Sequence, residues 1–145
     1  MIWKKKRRGI VNMEKVDLSV LKTDLKGIIA KETHKSSCKV FTYLKYSLLP
    51  KYGEGCITEF CFNNIVITIS DYILNEDLVV YFKDEKNKLQ LSFLLGGEKV
   101  MSFKNNYERI PYETQESYMA YIETYNGNSK IFGKRPYKEI KINNP

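Results

Sequence analysis

The chain has 145 residues, with 24 Lys and Arg against 17 Asp and Glu, a formal charge of +7, and 43% hydrophobic residues including 11 Tyr and 7 Phe. That length suits one globular domain, and the aromatic and β-branched content is enough to offset the entropy of folding, which argues against intrinsic disorder. A core of this size forms without disulfides or a metal.

Divided by position, the charge changes meaning. Residues 1–15 carry Lys4, Lys5, Lys6, Arg7, Arg8 and Lys15 against Glu14, so +5 of the total sits there, and residues 16–145 hold only +2. Blocks of like charge repel and stay solvated. The expected organisation is a basic tail over 1–15 and a single domain over 16–145. Ile10-Val11-Asn12-Met13-Glu14 is too short and polar for the apolar stretch of a signal peptide, and no run approaches a membrane span. Cys38, Cys56 and Cys61 are odd in number and unpaired in spacing, which fits a reduced, cytoplasmic protein.

From Val16 to Ala30, Leu18, Leu21, Leu25 and Ile28/Ile29 recur at three- and four-residue spacing. This predicts a short amphipathic helix, although Gly27-Ile28-Ile29-Ala30 could instead begin a strand. Lys31 to Ser37 reads as a solvated connection. Beyond it, short Val-, Ile-, Thr-, Tyr- and Phe-rich runs separated by turn residues predict strands. They cover Val40–Leu48, Cys56–Phe62, Ile65–Tyr72, Leu78–Phe82, Leu89–Leu95, Val100–Phe103, Tyr118–Tyr125, Lys130–Phe132 and Tyr137–Ile142. In the third of these, Ile65, Ile67 and Ile69 share one face, expected to be core. Gly96-Gly97 and Asn126-Gly127 are hairpin signals, and residues 104–116 have no clear period and read as an excursion or poorly formed strand. Eight or nine strands at this spacing predict a mainly β sandwich or barrel.

Catalytic chemistry finds little support. His34 is the sole imidazole, so nucleophilic catalysis by Ser or Cys lacks its usual base, and three Cys with one distant His make a poor zinc set. Neither Gly53-Glu54-Gly55 nor Gly96-Gly97 leads into a phosphate-binding Lys-Ser/Thr. No catalytic residue, metal or cofactor is expected. The tyrosines are more informative, since an apolar ring with a polar tip suits the wall of a small-molecule pocket.

Leu49-Pro50-Lys51-Tyr52-Gly53-Glu54-Gly55-Cys56-Ile57, then Asn64 to Tyr72, then Leu89-Gln90-Leu91-Ser92-Phe93-Leu94-Leu95-Gly96-Gly97, resemble in order the N-terminal regulatory domain of AraC-type transcription factors, most of all the PchR-like siderophore-regulator branch. The similarity spans roughly residues 40–142. It implies a cupin-like jelly roll with a short N-terminal helix, an unidentified small-molecule effector bound in the barrel, and a domain able to form a homodimer. It also implies DNA contact only through a C-terminal helix-turn-helix domain not contained in these residues, and no membrane partner. The His-x-His…Glu…His set with which cupin enzymes hold metal has no match here, so the barrel is expected to be metal-free.

If the polar-containing faces of the middle strands point inward, Thr68, Ser70, Tyr72, Gln90 and Ser92 meet the ligand together with Tyr81 and Tyr121; the opposite register puts Leu89, Leu91 and Phe93 there. Two rivals are a small nucleic-acid-binding β-barrel that uses the basic tail and tyrosines and a metal-dependent cupin-fold enzyme.

Overall fold

Two β-sheets face each other, and between them lies the core. The computed structural model describes residues 13–17, 25–84, 88–103, 106–122 and 125–144; the basic run 4–8 and residues 18–24 of the expected helix lie outside the described residues. In chain order the elements are β1 (Met13–Asp17), α1 (Leu25–Ile29), β2 (Ala30–Ser37), β3 (Phe41–Leu48), β4 (Gly53–Phe62), β5 (Ile65–Leu74) and β6 (Asp77–Asp84). There follow β7 (Lys88–Gly96), β8 (Glu98–Phe103), β9 (Asn106–Glu113), β10 (Ser117–Ile122), β11 (Tyr125–Ile131) and β12 (Pro136–Asn144).

The larger sheet has the order β10-β7-β12-β5-β4-β3-β2 and the smaller β1-β6-β11-β8-β9. Strands β5 to β12 alone form two four-stranded sheets, β5-β12-β7-β10 and β6-β11-β8-β9. This is the strand order of a jelly roll, the cupin architecture. The protein is therefore mainly β, with one short helix among the described residues. Strands β2 to β4 extend the larger sheet as a meander, and β1 adds to the smaller one in parallel with β6. Because β1 begins at Met13, residues 13–15 belong to the sheet rather than to the tail.

The sequence pattern and the structure part company at several places. Val16 lies on a strand, and the described helix is the short Leu25–Ile29 segment, whose Ile29 is buried with Ile28 and Leu25 packed against the core. Lys31–Ser37 is an exposed edge strand, β2, and residues 106–113 form β9. Neither glycine signal marks a hairpin. β7 and β8 lie in different sheets, so Gly97, with φ of 83°, turns the chain from one layer to the other. A Cβ there would come within 2.9 Å of the Pro136 carbonyl oxygen. Asn126 and Gly127 lie within β11 itself, packed between β6 and β8.

Gly53-Glu54-Gly55 opens β4 beside Leu74, Ile73 and Tyr72 of β5, and its glycines have a steric reason. Gly55 has φ of 124°, and a Cβ on it would lie 2.4 Å from the Asp71 carbonyl oxygen and 2.5 Å from Tyr72 Cα. Gly55→Ala is expected to destabilise the fold by more than about 1 kcal/mol, measured by urea unfolding; a neutral result would show that the backbone there yields freely.

Candidate functional site

Alternation on β5 decides which side chains enter the barrel. Ser70, Tyr72 and Leu74 are buried, whereas Ile65 and Ile73 on the other face are exposed. The expected core face of Ile65, Ile67 and Ile69 is therefore the outer one. The same holds on β7, where Gln90, Ser92 and Leu94 are buried and Leu89, Phe93 and Leu95 exposed. The polar-containing faces point inward, and Thr68, Ser70, Tyr72, Gln90 and Ser92 share one interior. Tyr81 and Tyr121 do not join them, because each falls on the outward phase of its strand and is exposed.

Pairing aligns these residues into a polar row. Glu59 of β4 is opposite Thr68 of β5, Thr68 is opposite Lys141 of β12, Lys141 is opposite Ser92 of β7, and Ser92 is opposite Tyr118 of β10. Along β12 the inward residues are Tyr137, Glu139, Lys141 and Asn143. The first two are buried and the last two half-buried, so burial decreases toward Asn143. At that end Lys26 of α1 binds Glu59 at 3.1 Å. At the other end a cavity of about 130 Å³ is lined by Tyr52, Asn75 and Leu78 among others, and none of the sequence-predicted residues borders it.

The centre is Glu139. Its Oε1 accepts from Tyr137 OH at 2.7 Å and Lys99 Nζ at 3.2 Å, and its Oε2 accepts from Ser92 Oγ at 2.6 Å and Lys99 Nζ at 3.1 Å. Those contacts use the four lone-pair positions of a carboxylate. An ionised carboxylate only accepts, so the Ser92 proton is committed to Glu139. Tyr112 OH, 2.8 Å from Ser92 Oγ, must then be the donor of that bond. Its oxygen also lies 3.3 Å from the Glu116 carbonyl, the weaker partner by distance. The proton order Tyr112 to Ser92 to Glu139 is thus fixed by the charge at its end. Lys99 also sits over the Tyr112 ring, Tyr72 stacks on Tyr137 at 5.3 Å, and Gln90 donates to Tyr118 OH.

Burial would raise the Glu139 pKa, but Lys99, then Lys141, and the hydrogen bonds from Ser92 and Tyr137 reverse this and bring it down to about 2. For Lys99 burial dominates, and despite the attraction of Glu139 its pKa falls to about 8, with Lys141 adding repulsion. Burial, then the charge of Glu139, holds the Tyr72 and Tyr137 phenols well above their ordinary value. At neutral pH the centre is an ion pair ringed by neutral hydroxyls.

A metal does not fit this donor set. Among the described residues no three His, Cys, Asp or Glu side chains converge. Glu139 is already saturated, and His34 is on exposed β2 against the Tyr43 ring.

Sequence reasoning missed Glu139, Lys99 and Lys141 because charged residues alternating along a strand read as solvent-facing. Ile140 and Ile142, which share β12 with them, lie on the opposite face of that strand, half-buried.

No family model matches the chain, and no curated protein matches it. Solved structures similar to it include a cupin superfamily protein from Desulfitobacterium hafniense, at 17% identity over 81% of this chain and 84% of that one, with a TM-score of 0.40. KdgF from a Halomonas species has 8% identity over 78% and 86% of the two chains, with a TM-score of 0.43. A cupin-superfamily sugar phosphate isomerase from Silicibacter pomeroyi has 6% identity over 61% and 59%, with a TM-score of 0.44.

Proposed function

We propose that this chain is an effector-binding regulatory domain in which a small polar molecule enters the barrel at the Asn143 end and rests on the Glu139–Lys99 floor. The observation that carries this reading is the buried ion pair with its complete hydrogen-bond shell. An apolar filling of equal volume is commonly as stable or more so, so a polar centre in a barrel suits recognition better than stability. Lys26, Lys99 and Lys141 alternate here with Glu59 and Glu139, a mixed-sign lining that favours a polar ligand carrying hydroxyl, carbonyl or charged groups. Asn143 Oδ1, buried and without a hydrogen-bond partner, offers an acceptor for a ligand donor at the entrance.

The regulatory part of the proposal rests on the resemblance of the ordered sequence motifs to those of AraC-type regulators. Occupancy would shift the balance between two states of the domain, and a separate DNA-binding domain would report it. The three free thiols suit a cytoplasmic setting.

Thermal-shift screening against sugar acids, nucleotides and catecholate or hydroxamate siderophores tests the binding. A ligand at about 100 times its Kd adds about 2.7 kcal/mol of stability, and the resulting rise in Tm should be lost in Lys141→Met. A panel with no stabilising compound, or a shift that survives Lys141→Met and Gln90→Leu, would refute the barrel as the site.

A further inference from the structure

We infer that the cavity of about 130 Å³ at the end of the barrel opposite Asn143 is a second ligand site, and that it takes a free α-amino acid with an apolar side chain. It lies between the link from β3 to β4 and the link from β5 to β6. Lys51, Tyr52, Asn75 and Glu76 line it together with Leu74 and Leu78, and these two leucines, almost fully buried, give it an apolar floor. An apolar cavity of about 150 Å³ holds benzene. The space here therefore admits a side chain of isobutyl or benzyl size, with the charged end of the molecule left at the rim.

The site is built before any ligand arrives. Asn75 ties the two links together: its backbone N–H donates to the Tyr52 carbonyl at 2.9 Å, and its Nδ2 donates to the Pro50 and Lys51 carbonyls at 3.0 and 3.3 Å. The link from β11 to β12 holds the other side, where Lys134 N–H donates to the Leu74 carbonyl at 2.7 Å and Gly133 N–H to Asp77 Oδ1 at 2.9 Å. Gly133 lies so close that a Cβ on it would meet the Glu76 carbonyl carbon at 2.4 Å. A pocket held in this way spares its ligand the cost of ordering it.

The charges select the ligand. Among the described residues neither the Lys51 ammonium nor the Glu76 carboxylate is joined to an opposite charge, and Lys51 rests over the Tyr52 ring at 5.3 Å. Because Asn75 Nδ2 is spent on the two carbonyls, its Oδ1 is left to accept a hydrogen bond. One cation, one anion and an amide oxygen around a small apolar floor match a zwitterion: its carboxylate meets Lys51, its ammonium meets Glu76 and Asn75 Oδ1, and its side chain enters against Leu74, Leu78 and the Tyr52 ring. A simple anion or a simple cation would satisfy one of the two charges and face a like charge at the other. None of these residues belongs to the shell of Glu139, so this site and the barrel interior are separable by substitution.

Ligand-observed NMR titration of the full chain with L-leucine reads the outcome. Wild type should bind saturably with a Kd of about 1 mM or tighter. N-acetyl-leucine and leucinamide, each lacking one of the two charges, should bind about tenfold more weakly or worse. Glu76→Gln and Lys51→Met should each weaken L-leucine by about tenfold with unchanged far-UV circular dichroism, whereas Lys141→Met, inside the barrel, should leave it as in wild type. Absence of saturable binding by L-leucine, L-valine and L-phenylalanine up to about 10 mM would overturn the inference, as would an affinity that both rim substitutions leave unchanged. Binding lost in Lys141→Met and kept in Glu76→Gln would also overturn it, by moving the amino acid into the barrel.

Discussion

Glu139→Leu, with Lys99 retained, is expected to cost about 3–5 kcal/mol of unfolding free energy, because an ammonium is then left buried without its counter-ion. Lys99→Met alone should cost a similar amount. The double variant should recover most of that loss and can exceed wild type, since two apolar side chains replace a pair whose desolvation is expensive. Urea unfolding of the four proteins gives the cycle. A double variant as unstable as the sum of the singles would mean that Glu139 and Lys99 act separately, against the bonds of 3.1 and 3.2 Å that join them.

Stability should also follow pH in a pattern set by the same residues. Glu139 titrates near 2 in the folded protein against an ordinary value of 4.5. Between those values the unfolded chain holds a proton that the native state lacks, so stability rises with pH across that window by about 3 kcal/mol and is lost as pH falls through it. Lys99 has the opposite chemistry and the same slope. Its folded pKa of about 8 lies below 10.5, so the native state releases its proton first and stability rises again above pH 8. Beyond pH 10 the trend reverses, since Tyr72 and Tyr137 keep protons that the unfolded chain gives up. Denaturation midpoints from pH 2 to 11 should therefore show an acid limb and a shallow alkaline maximum. Glu139→Gln should remove most of the acid limb; an unchanged limb would place that titration elsewhere.

The strands were largely legible in the sequence because β-branched alternation is a local property, and β4, β5, β7 and β12 fall where it predicted them. Sidedness was not legible. On β5 and β7 the more apolar face is outside, so the usual inference from apolar to buried ran backwards for Ile65, Ile67 and Ile69. Gly96-Gly97 and Asn126-Gly127 misled for a related reason: glycine marks a sharp bend or a close approach of backbones, and only tertiary structure says whether the next strand returns beside the last or crosses to the other sheet. Of the seven expected site residues, five face one interior. The ion pair beneath them joins β8 to β12 across 40 residues, a juxtaposition that no short motif encodes.

The place of β12 in the larger sheet has a kinetic consequence. It lies between β5 and β7, strands that precede it in the chain by dozens of residues, and it carries Tyr137 and Glu139. During synthesis the sheet cannot close until residues 136–144 have emerged, and until then β5 and β7 each present an unpaired edge. Such non-local closure makes folding slow and leaves the nascent chain open to intermolecular pairing in the meantime. The electrostatic centre of the barrel is accordingly among the last features to form.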